Sequence, residues 1–475
     1  MNYLLVAPEL ILASFGIVVL LLDLFIKEKK LLTYWTLAGL LTTLLAVFYL
    51  LGSSGLIWNG ILIIDSFSLF FKIVFLVVAI LVTLASATYI QDGDLGEYFT
   101  LIIFSTLGMM FVASSGELIT LFVSLELATV PTYALVGFFK KDPHSSEAAI
   151  KYFIIGALSS AIIVFGMSLI YGVTGSTYLY EISAALREPA VQGMYNPVLL
   201  LGTILLVAGF AFEIAAVPFH MWVPDTYQGA PTTITIFMAA QAEAMGFAAI
   251  FRLFGVALGP LQLNWQSLFM VLAVMTLLLG NLVPLVQTSV KRLLAYSCIG
   301  HAGYILIGLA VATPLGFTGG MFHVLTYAFM KGGAFLVVTM VSYTLLVDDI
   351  DDYAGLRDKA PLTAFCMLIF LLSLAGVPPL AGFWSKFIIF SAAIEGGVAW
   401  LAVLGVITSA ISLYYYARII KAMYLTPTEK MERIKEPKPL LLAMLIALAG
   451  TILIGLYPEP ILKFVSSAVQ SLLFY

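Results

Sequence analysis

Apolar residues dominate this chain in long blocks, and polar residues gather in short clusters between them. A block of about 20 mostly apolar residues is long enough to cross a hydrocarbon layer as a helix. Fourteen such spans are predicted, at about 3–25, 31–51, 65–90, 98–114, 117–138, 147–173, 196–217, 231–252, 264–286, 292–313, 316–347, 361–392, 396–417 and 438–457. The separators are turn formers, such as Ser114, Ser115 and Gly116, or Asp142 and Pro143. The first span starts almost at Met1 without a basic leader or a small-residue cleavage pattern, so it is expected to be a retained helix rather than a signal peptide.

Composition agrees. The 475 residues are 62% hydrophobic and 10% charged, with mean hydropathy +1.08, whereas soluble domains carry about a quarter charged residues. The expected fold class is therefore an all-α polytopic membrane protein whose surroundings are the lipid bilayer. Formal net charge is −4, and no nucleic-acid partner is expected. Cys298 and Cys366 both fall inside spans, with neither metal-site nor disulfide spacing.

Fourteen spans make the connections alternate between two sides. One side holds Lys27, Lys29, Lys30, Lys140, Lys141, Lys291, Arg292, Arg357, Lys359, Arg418, Lys421, Lys430, Arg433, Lys435 and Lys438, and the other only Arg187, Arg252 and Lys463. That bias predicts a cytoplasmic location for the first group and puts both termini on the non-cytoplasmic side.

Charges inside spans are the informative feature, because each costs about 2.5–3.5 kcal/mol or more at a helix centre. Glu126 lies in the fifth span, Glu213 in the seventh, Glu243 in the eighth, Lys331 in the eleventh and Lys386 in the twelfth. His301 in the tenth and His323 in the eleventh add groups that titrate near neutral pH. A row of buried ionisable groups reads as an ion or proton path; any single one reads equally well as half of a structural pair or a snorkelling chain. Lys72, seven residues from Asp65, fits the structural account, and Lys151 shares a helix face with Glu147. His220 and Asp225, just after the seventh span, are candidates for proton uptake, with His323 as a third, or else simply satisfy interrupted backbone. His144 is expected to be solvated, the acidic group Asp348, Asp349, Asp351 and Asp352 to be a cytoplasmic loop able to dock a neighbour, and Tyr414, Tyr415 and Tyr416 to pack at an interface.

Pro218 and Pro378 interrupt the seventh and twelfth spans. Open backbone at membrane depth is tolerated only where protein or trapped water satisfies it, so both breaks imply polar cavities near the mid-plane. Two such helices five spans apart suggest an inverted internal repeat; two ordinary kinks are the plainer alternative.

Several segments together resemble the antiporter-like membrane subunits of respiratory complex I, most closely the subunit N type. They are ELITLFVSLEL around Glu126, SSEAAIKYFIIGALSSA from Ser145, VPFHMWVPDTYQGAP from Val217, KRLLAYSCIGHAGY from Lys291, DDYAGL from Asp351 and LAGVPPLAGFWSKF from Leu374. The resemblance implies 14 helices, arranged as an N-terminal three-helix segment (1–97), two inverted five-helix repeats (98–257 and 258–425) and a C-terminal helix and tail (426–475). It implies a place in the membrane arm of an NADH:quinone oxidoreductase in a bacterial or organellar energy-transducing membrane, beside sister antiporter-like subunits. Flavin, iron–sulfur clusters and quinone are then expected on other subunits and no cofactor or metal on this chain. By the same resemblance Glu126, Lys151, His301 and Lys386 match positions on a hydrated line along which protons move.

Three positions depart from the family pattern: Glu213 and Glu243 stand where lysines are usual, and Lys331 where an uncharged residue is usual. If Glu213 lies near Glu126, the two carboxyls cannot readily both ionise. Alternatives are a structural subunit with reduced pumping, and a subunit of a cation/proton antiporter or of a complex driven by a donor other than NADH.

Overall fold

The computed structural model describes residues 3–90, 95–188, 196–345, 348–427 and 434–473. Two residues of the eleventh predicted span, 346–347, and the basic residues Lys430 and Arg433 lie outside the described residues. Six helices come first: α1 Ala7–Phe25, α2 Lys30–Tyr49, α3 Ser66–Tyr89, α4 Leu95–Ser114, α5 Leu118–Val136 and α6 Pro143–Thr174. After a short α7 (Leu179–Ala185), the seventh span is divided into α8 (Pro197–Glu213) and a short helix α9 (Trp222–Gly229). Then follow α10 Thr232–Ala257, α11 Gln262–Leu282, α12 Val290–Val311 and α13 Pro314–Leu345. The twelfth span is divided too, into α14 (Pro361–Ala375) and α15 (Ala381–Glu395), before α16 Ala399–Leu425, α17 Lys438–Leu456 and α18 Glu459–Leu473. Among the described residues twelve helices are long and apolar enough to cross a membrane, and the shorter α8 and α14 fill the seventh and twelfth positions. The protein is thus a multi-pass helical membrane protein.

Local chemistry explains the helix starts. Asp65 caps α3 by accepting from the Ser68 amide, and Ser68 returns a bond to the Asp65 amide. Asp142 caps α6 with Pro143 in its first turn, and Gly175, at φ +72°, ends it in the left-handed conformation that glycine adopts without a side-chain clash. An antiparallel hairpin, β1 Gly55–Ile57 with β2 Leu62–Ile64, closes the turn between α2 and α3.

Burial grades inward from lipid to centre. The most apolar stretch of α10 is wholly buried and those of α12 and α13 nearly so, whereas α1, α2, α16 and α17 leave more than half of theirs on the outside. Glu243, His301, His323 and Lys331 ride on these three central helices.

Several expectations change here. Arg252 is not in an outer connection: it is the last residue of a regular stretch of α10, wholly buried, with Nη1 and Nη2 donating to the two carboxylate oxygens of Asp65 at 2.7 and 2.8 Å. Lys72 pairs not with Asp65 but with Glu9 of α1, at 2.6 Å, and both side chains are fully enclosed. This second pair is an ionic contact without directed hydrogen bonds. The C-terminal tail is a further helix, α18, whose Val465, Ala468, Val469 and Leu472 pack inward at three- and four-residue spacing while Ser471 accepts from the Phe67 amide. Its apolar run is too short and too one-sided to read as a span.

Breaking a buried ion pair from one side strands a charge, at a cost of about 3–5 kcal/mol. Arg252→Met should therefore lower the thermal midpoint of the purified protein sharply. Adding Asp65→Asn, which retains a side-chain cap for α3 but removes the stranded charge, should recover part of the loss. Equal midpoints for the single and double variants would contradict this account.

Candidate functional site

The two interrupted helices set the geometry. At the first break α8 ends on Glu213, and the chain turns through Ala215, held at φ +55°, before α9 begins at Trp222. Phe212 O accepts from Trp222 Nε1, and the Val217 amide donates to Thr276 Oγ1 at 3.0 Å, so side chains close part of the open backbone. Glu213 is 5% exposed and its Oε1 has no hydrogen-bond partner within the protein. It comes this close to α10 because Gly246 is opposite: a Cβ there would lie 3.1 Å from the Glu213 Cβ and 2.8 Å from Ile214 Cγ2. A carboxylate in the last turn of a helix meets the negative end of the helix dipole. Glu126 on α5 is near enough for the two to repel if both are charged, and it accepts from Ser160 of α6 at 2.5 Å.

At the second break α14 ends on Ala375, and Gly376 takes φ +91°. Lys386, one turn into α15, turns back to donate to the carbonyls of Leu374 (2.8 Å) and Ala375 (3.2 Å) and to Ser409 of α16 (2.8 Å). Its ammonium lies 4.6 Å from the centre of the Tyr304 ring. A cation on the last carbonyls of a helix is matched to the dipole. Lys386 also borders a crevice of about 390 Å³ with Gly376, Pro378, Phe387 and Ser409.

Between the breaks, Glu243 on α10 follows a widened turn at Met238–Ala242 and accepts from Tyr227 of α9 at 2.7 Å. The Lys331 ammonium of α13 acts electrostatically on Glu243 and donates to Leu294 O at 3.1 Å and Ser297 Oγ at 2.7 Å. Ser297 contacts the Tyr416 hydroxyl, which lies 3.3 Å from His301 Nε2. His301 Nδ1 is 3.0 Å from His323 Nε2, and His323 Nδ1 is 2.9 Å from Ser385 Oγ. Glu243, Lys331, His301, His323 and Lys386 are thus drawn into one buried district.

Lys151 lies elsewhere. Its side chain is 42% exposed and donates to Glu147 at 2.7 Å and Asp225 at 2.8 Å, so its partners are these two rather than Glu126. Asp225 also accepts from Arg292 at 2.9 Å. With His144, Gln228, Lys291 and Asp348 these residues line a polar pocket of about 610 Å³ on the side where the basic loops cluster. The exposure of His144 matches its expected solvation. His220 is half-buried beside the first break, with Nδ1 unpartnered. His323, expected as an uptake group, is instead 0% exposed and a middle link of the central chain. Asp348 is not free to dock a neighbour: it accepts from Ser289 Oγ and from the Lys291 amide at the start of α12.

Sequence reasoning left Tyr416 as a packing residue and did not single out Ser297, Ser385 or Tyr227. Nothing in a local pattern distinguishes a hydroxyl that meets a histidine from one that caps its own helix; the spacing of KRLLAYSCIGHAGY, with Ser297 one turn before His301, was the only available signal.

Burial acts against the Asp225 charge, but hydrogen bonds from Lys151 and Arg292 outweigh it and hold the carboxyl below the usual aspartate value. Asp348 moves the other way, raised by burial against the opposing charge of Lys291. A depressed carboxyl stabilises the fold fully above its unfolded value, and that contribution is lost as pH falls through the folded value. Infrared titration of the protein should therefore show an Asp225 carboxylate band, identified by its absence in Asp225→Asn, persisting below the ordinary aspartate value of 3.8. Protonation at or above that value would contradict the pairing.

The family described as "NADH:quinone oxidoreductase/Mrp antiporter, TM" matches residues 115–412. The chain is 44% identical to the F(420)H(2) dehydrogenase subunit N of Methanosarcina mazei, over 98% of each chain. It is likewise 44% identical to the NADH-quinone oxidoreductase subunit N of Moorella thermoacetica, again over 98% of each. Among solved structures it resembles a chain of respiratory complex I from Thermus thermophilus, with TM-score 0.83 and 33% identity, covering 96% of this chain and 98% of that one.

Proposed function

This chain belongs to the NADH:quinone oxidoreductase/Mrp antiporter membrane family, and from that premise we propose that it is the subunit N of a quinone-reducing membrane complex and conducts protons through its buried ionisable residues. One observation carries the reading: Glu213 ends one broken helix and Lys386 opens the second half of the other, Glu243, His301, His323 and Lys331 sit on the central helices, Glu126 acts on Glu213 from α5, and hydroxyls are interleaved among them. Structural charges in this protein form closed pairs, as Arg252 does with Asp65. Lys331 and Lys386 instead rest on carbonyls and hydroxyls, which hold an ammonium without trapping it in a salt bridge.

The basic side is the cytoplasmic one on this reading, both termini face the opposite side, and 98–257 and 258–425 are inverted units related by their broken helices. Protons enter from the polar pocket at Lys151 and Asp225. Helix α9 joins that pocket to the centre, since it carries Asp225 on the pocket side and Tyr227 on the Glu243 side. His220, at the root of the same break, is a second uptake group. Redox chemistry belongs to other subunits: an iron–sulfur cluster takes about four cysteines, and this chain has 2, both buried and unpaired.

A second reading concerns only the electron donor. An F(420)H(2) dehydrogenase subunit and an NADH-quinone oxidoreductase subunit are equally similar to the chain, at 44% identity each, so the donor is set by the rest of the complex and is tested there by offering each reductant.

The whole complex, reconstituted in liposomes and driven by its own donor, tests conduction. Glu126→Gln and Lys386→Met should each cut proton uptake per electron, with assembled complex unchanged in amount. An unaltered ratio in both would make this a structural subunit of the membrane arm.

A further inference from the structure

Between Lys331 and the two histidines lie two hydroxyls, those of Ser297 and Tyr416, that have so far been given no separate role. We propose that Tyr416, through Ser297, is the relay residue that carries the proton between Lys331 and His301, and that the charge on Lys331 fixes the direction of the whole chain. The proposal rests on the conduction reading.

The geometry is continuous. Lys331 Nζ stands 2.7 Å from Ser297 Oγ, Ser297 meets the Tyr416 hydroxyl, and that hydroxyl is 3.3 Å from His301 Nε2. His301 Nδ1 follows at 3.0 Å from His323 Nε2, and His323 Nδ1 at 2.9 Å from Ser385 Oγ. Ser297, Tyr416, His323 and Ser385 are 0% exposed and His301 2%, so solvent does not reach round the gap from outside. Four helices supply the links: α12 gives Ser297 and His301, α13 gives Lys331 and His323, α15 gives Ser385 and α16 gives Tyr416.

An ammonium has donors only. When Lys331 is charged, Ser297 Oγ must accept from it and turns its own proton to Tyr416. The phenol then donates to His301 Nε2, which must be the unprotonated nitrogen. His301 accordingly carries its hydrogen on Nδ1 and donates to His323 Nε2, and His323 donates from Nδ1 to Ser385. One charge at one end therefore sets both hydroxyl orientations and both imidazole tautomers.

Transfer along this chain balances at every link. The Nζ–H bond of Lys331 breaks as Ser297 gains that proton; Ser297 passes its original proton to Tyr416, and Tyr416 passes its own to His301 Nε2. His301 then gives its Nδ1 proton to His323, so the net change is a neutral Lys331 and a protonated His323. Neither hydroxyl ends with a charge, which matters because a lone alkoxide or phenolate in this dry setting would be costly. After one passage Ser297, Tyr416 and His301 donate the opposite way, and His323 carries a proton on both ring nitrogens. No second proton follows until both hydroxyls rotate, His301 reverses its tautomer and His323 releases a proton, so the link passes one proton per reset.

Tyr416→Phe removes the hydroxyl and keeps the ring that packs 4.5 Å from that of Tyr415. The matched control is Tyr98→Phe, which removes another fully buried phenol hydroxyl with two partners, Ser86 at 2.9 Å and Thr233 at 2.7 Å, outside the chain. In the whole complex reconstituted in liposomes, Tyr416→Phe should lower proton uptake per electron by this subunit's full share, the same loss as in Lys386→Met, while Tyr98→Phe leaves it unchanged. Ser297→Ala should give the same fall, and the double variant Ser297→Ala/Tyr416→Phe no more than either alone, because both cut one path. The Ser297 variant also carries the test should the Tyr416 one fail to assemble. Native uptake per electron in Tyr416→Phe, or equal losses in Tyr416→Phe and Tyr98→Phe, would overturn the proposal. If Glu126→Gln and Lys386→Met also pump normally, the conduction reading fails; if those two abolish uptake and Tyr416→Phe does not, only the hydroxyl bridge fails.

Discussion

A helix that breaks inside a hydrocarbon layer leaves carbonyls and amides with no water to turn to, and something must satisfy them. This protein closes its two breaks in opposite ways. At the second, Lys386 folds back onto the carbonyls of Leu374 and Ala375 and is itself held there by the negative end of α14. At the first, the end of α8 is occupied by Glu213, whose Oε1 has no partner within the protein, and the backbone is closed from outside by Trp222 and Thr276. The ammonium has its partners within the protein; the carboxyl lacks one at Oε1. Every other polar contact in the centre is arranged between these two fixed points.

The same constraint separates charges that hold the fold from charges that serve the site. Glu9 with Lys72, and Asp65 with Arg252, are fully enclosed and matched one to one. They tie α1 to α3 and α3 to α10, and with zero net charge they can stay dry. Lys331 has Ser297 and a backbone carbonyl within hydrogen-bond distance, and Lys386 has Ser409 and two carbonyls. Neutral acceptors stabilise the protonated amine less than a carboxylate in direct contact would. Pairing, rather than burial, is what distinguishes the two groups.

Hydrophobic pattern made the helices legible, since length and apolarity are the property the membrane demands, and each predicted span has its helix in the described residues. The breaks were legible for the same reason: Pro218 and Pro378 cannot continue a helix. Partners were not. Lys72 was read against Asp65, a neighbour in sequence, yet its counter-charge is Glu9, 63 residues earlier on another helix. Arg252 looked like an end-of-span loop residue because nothing local announces that Asp65 waits for it. Lys151 was placed on the line by resemblance, whereas its side chain meets Asp225 at the rim of a polar pocket. Helix α18 escaped notice because its amphipathic spacing packs it against α3 and α13 rather than through the lipid. Contacts between segments distant in sequence carry the site, and a one-dimensional pattern does not contain them.

The reversed charges at Glu213 and Glu243 acquire a physical meaning from this arrangement. Carboxyls serve α5, α8 and α10, while lysines and histidines serve α12, α13 and α15, so the type of acid changes where Glu243 faces Lys331. A proton on Lys331 with Glu243 ionised leaves two opposite charges that attract without a salt bridge between them; the same proton moved to Glu243 leaves two neutral groups. Both states carry the same net charge, and in a dry interior the pair's attraction offsets much of the desolvation it costs, which narrows the gap between them. Tyr227 stabilises the ionised carboxylate from one side and Ser297 the ammonium from the other. A seam with two states of equal charge is responsive to whatever reaches it: a proton arriving at the carboxyls favours the neutral state, and one withdrawn towards His301 removes the other partner. On the conduction reading, negative residues in the first half and positive ones in the second therefore preserve a relay, with its switching point placed between Glu243 and Lys331.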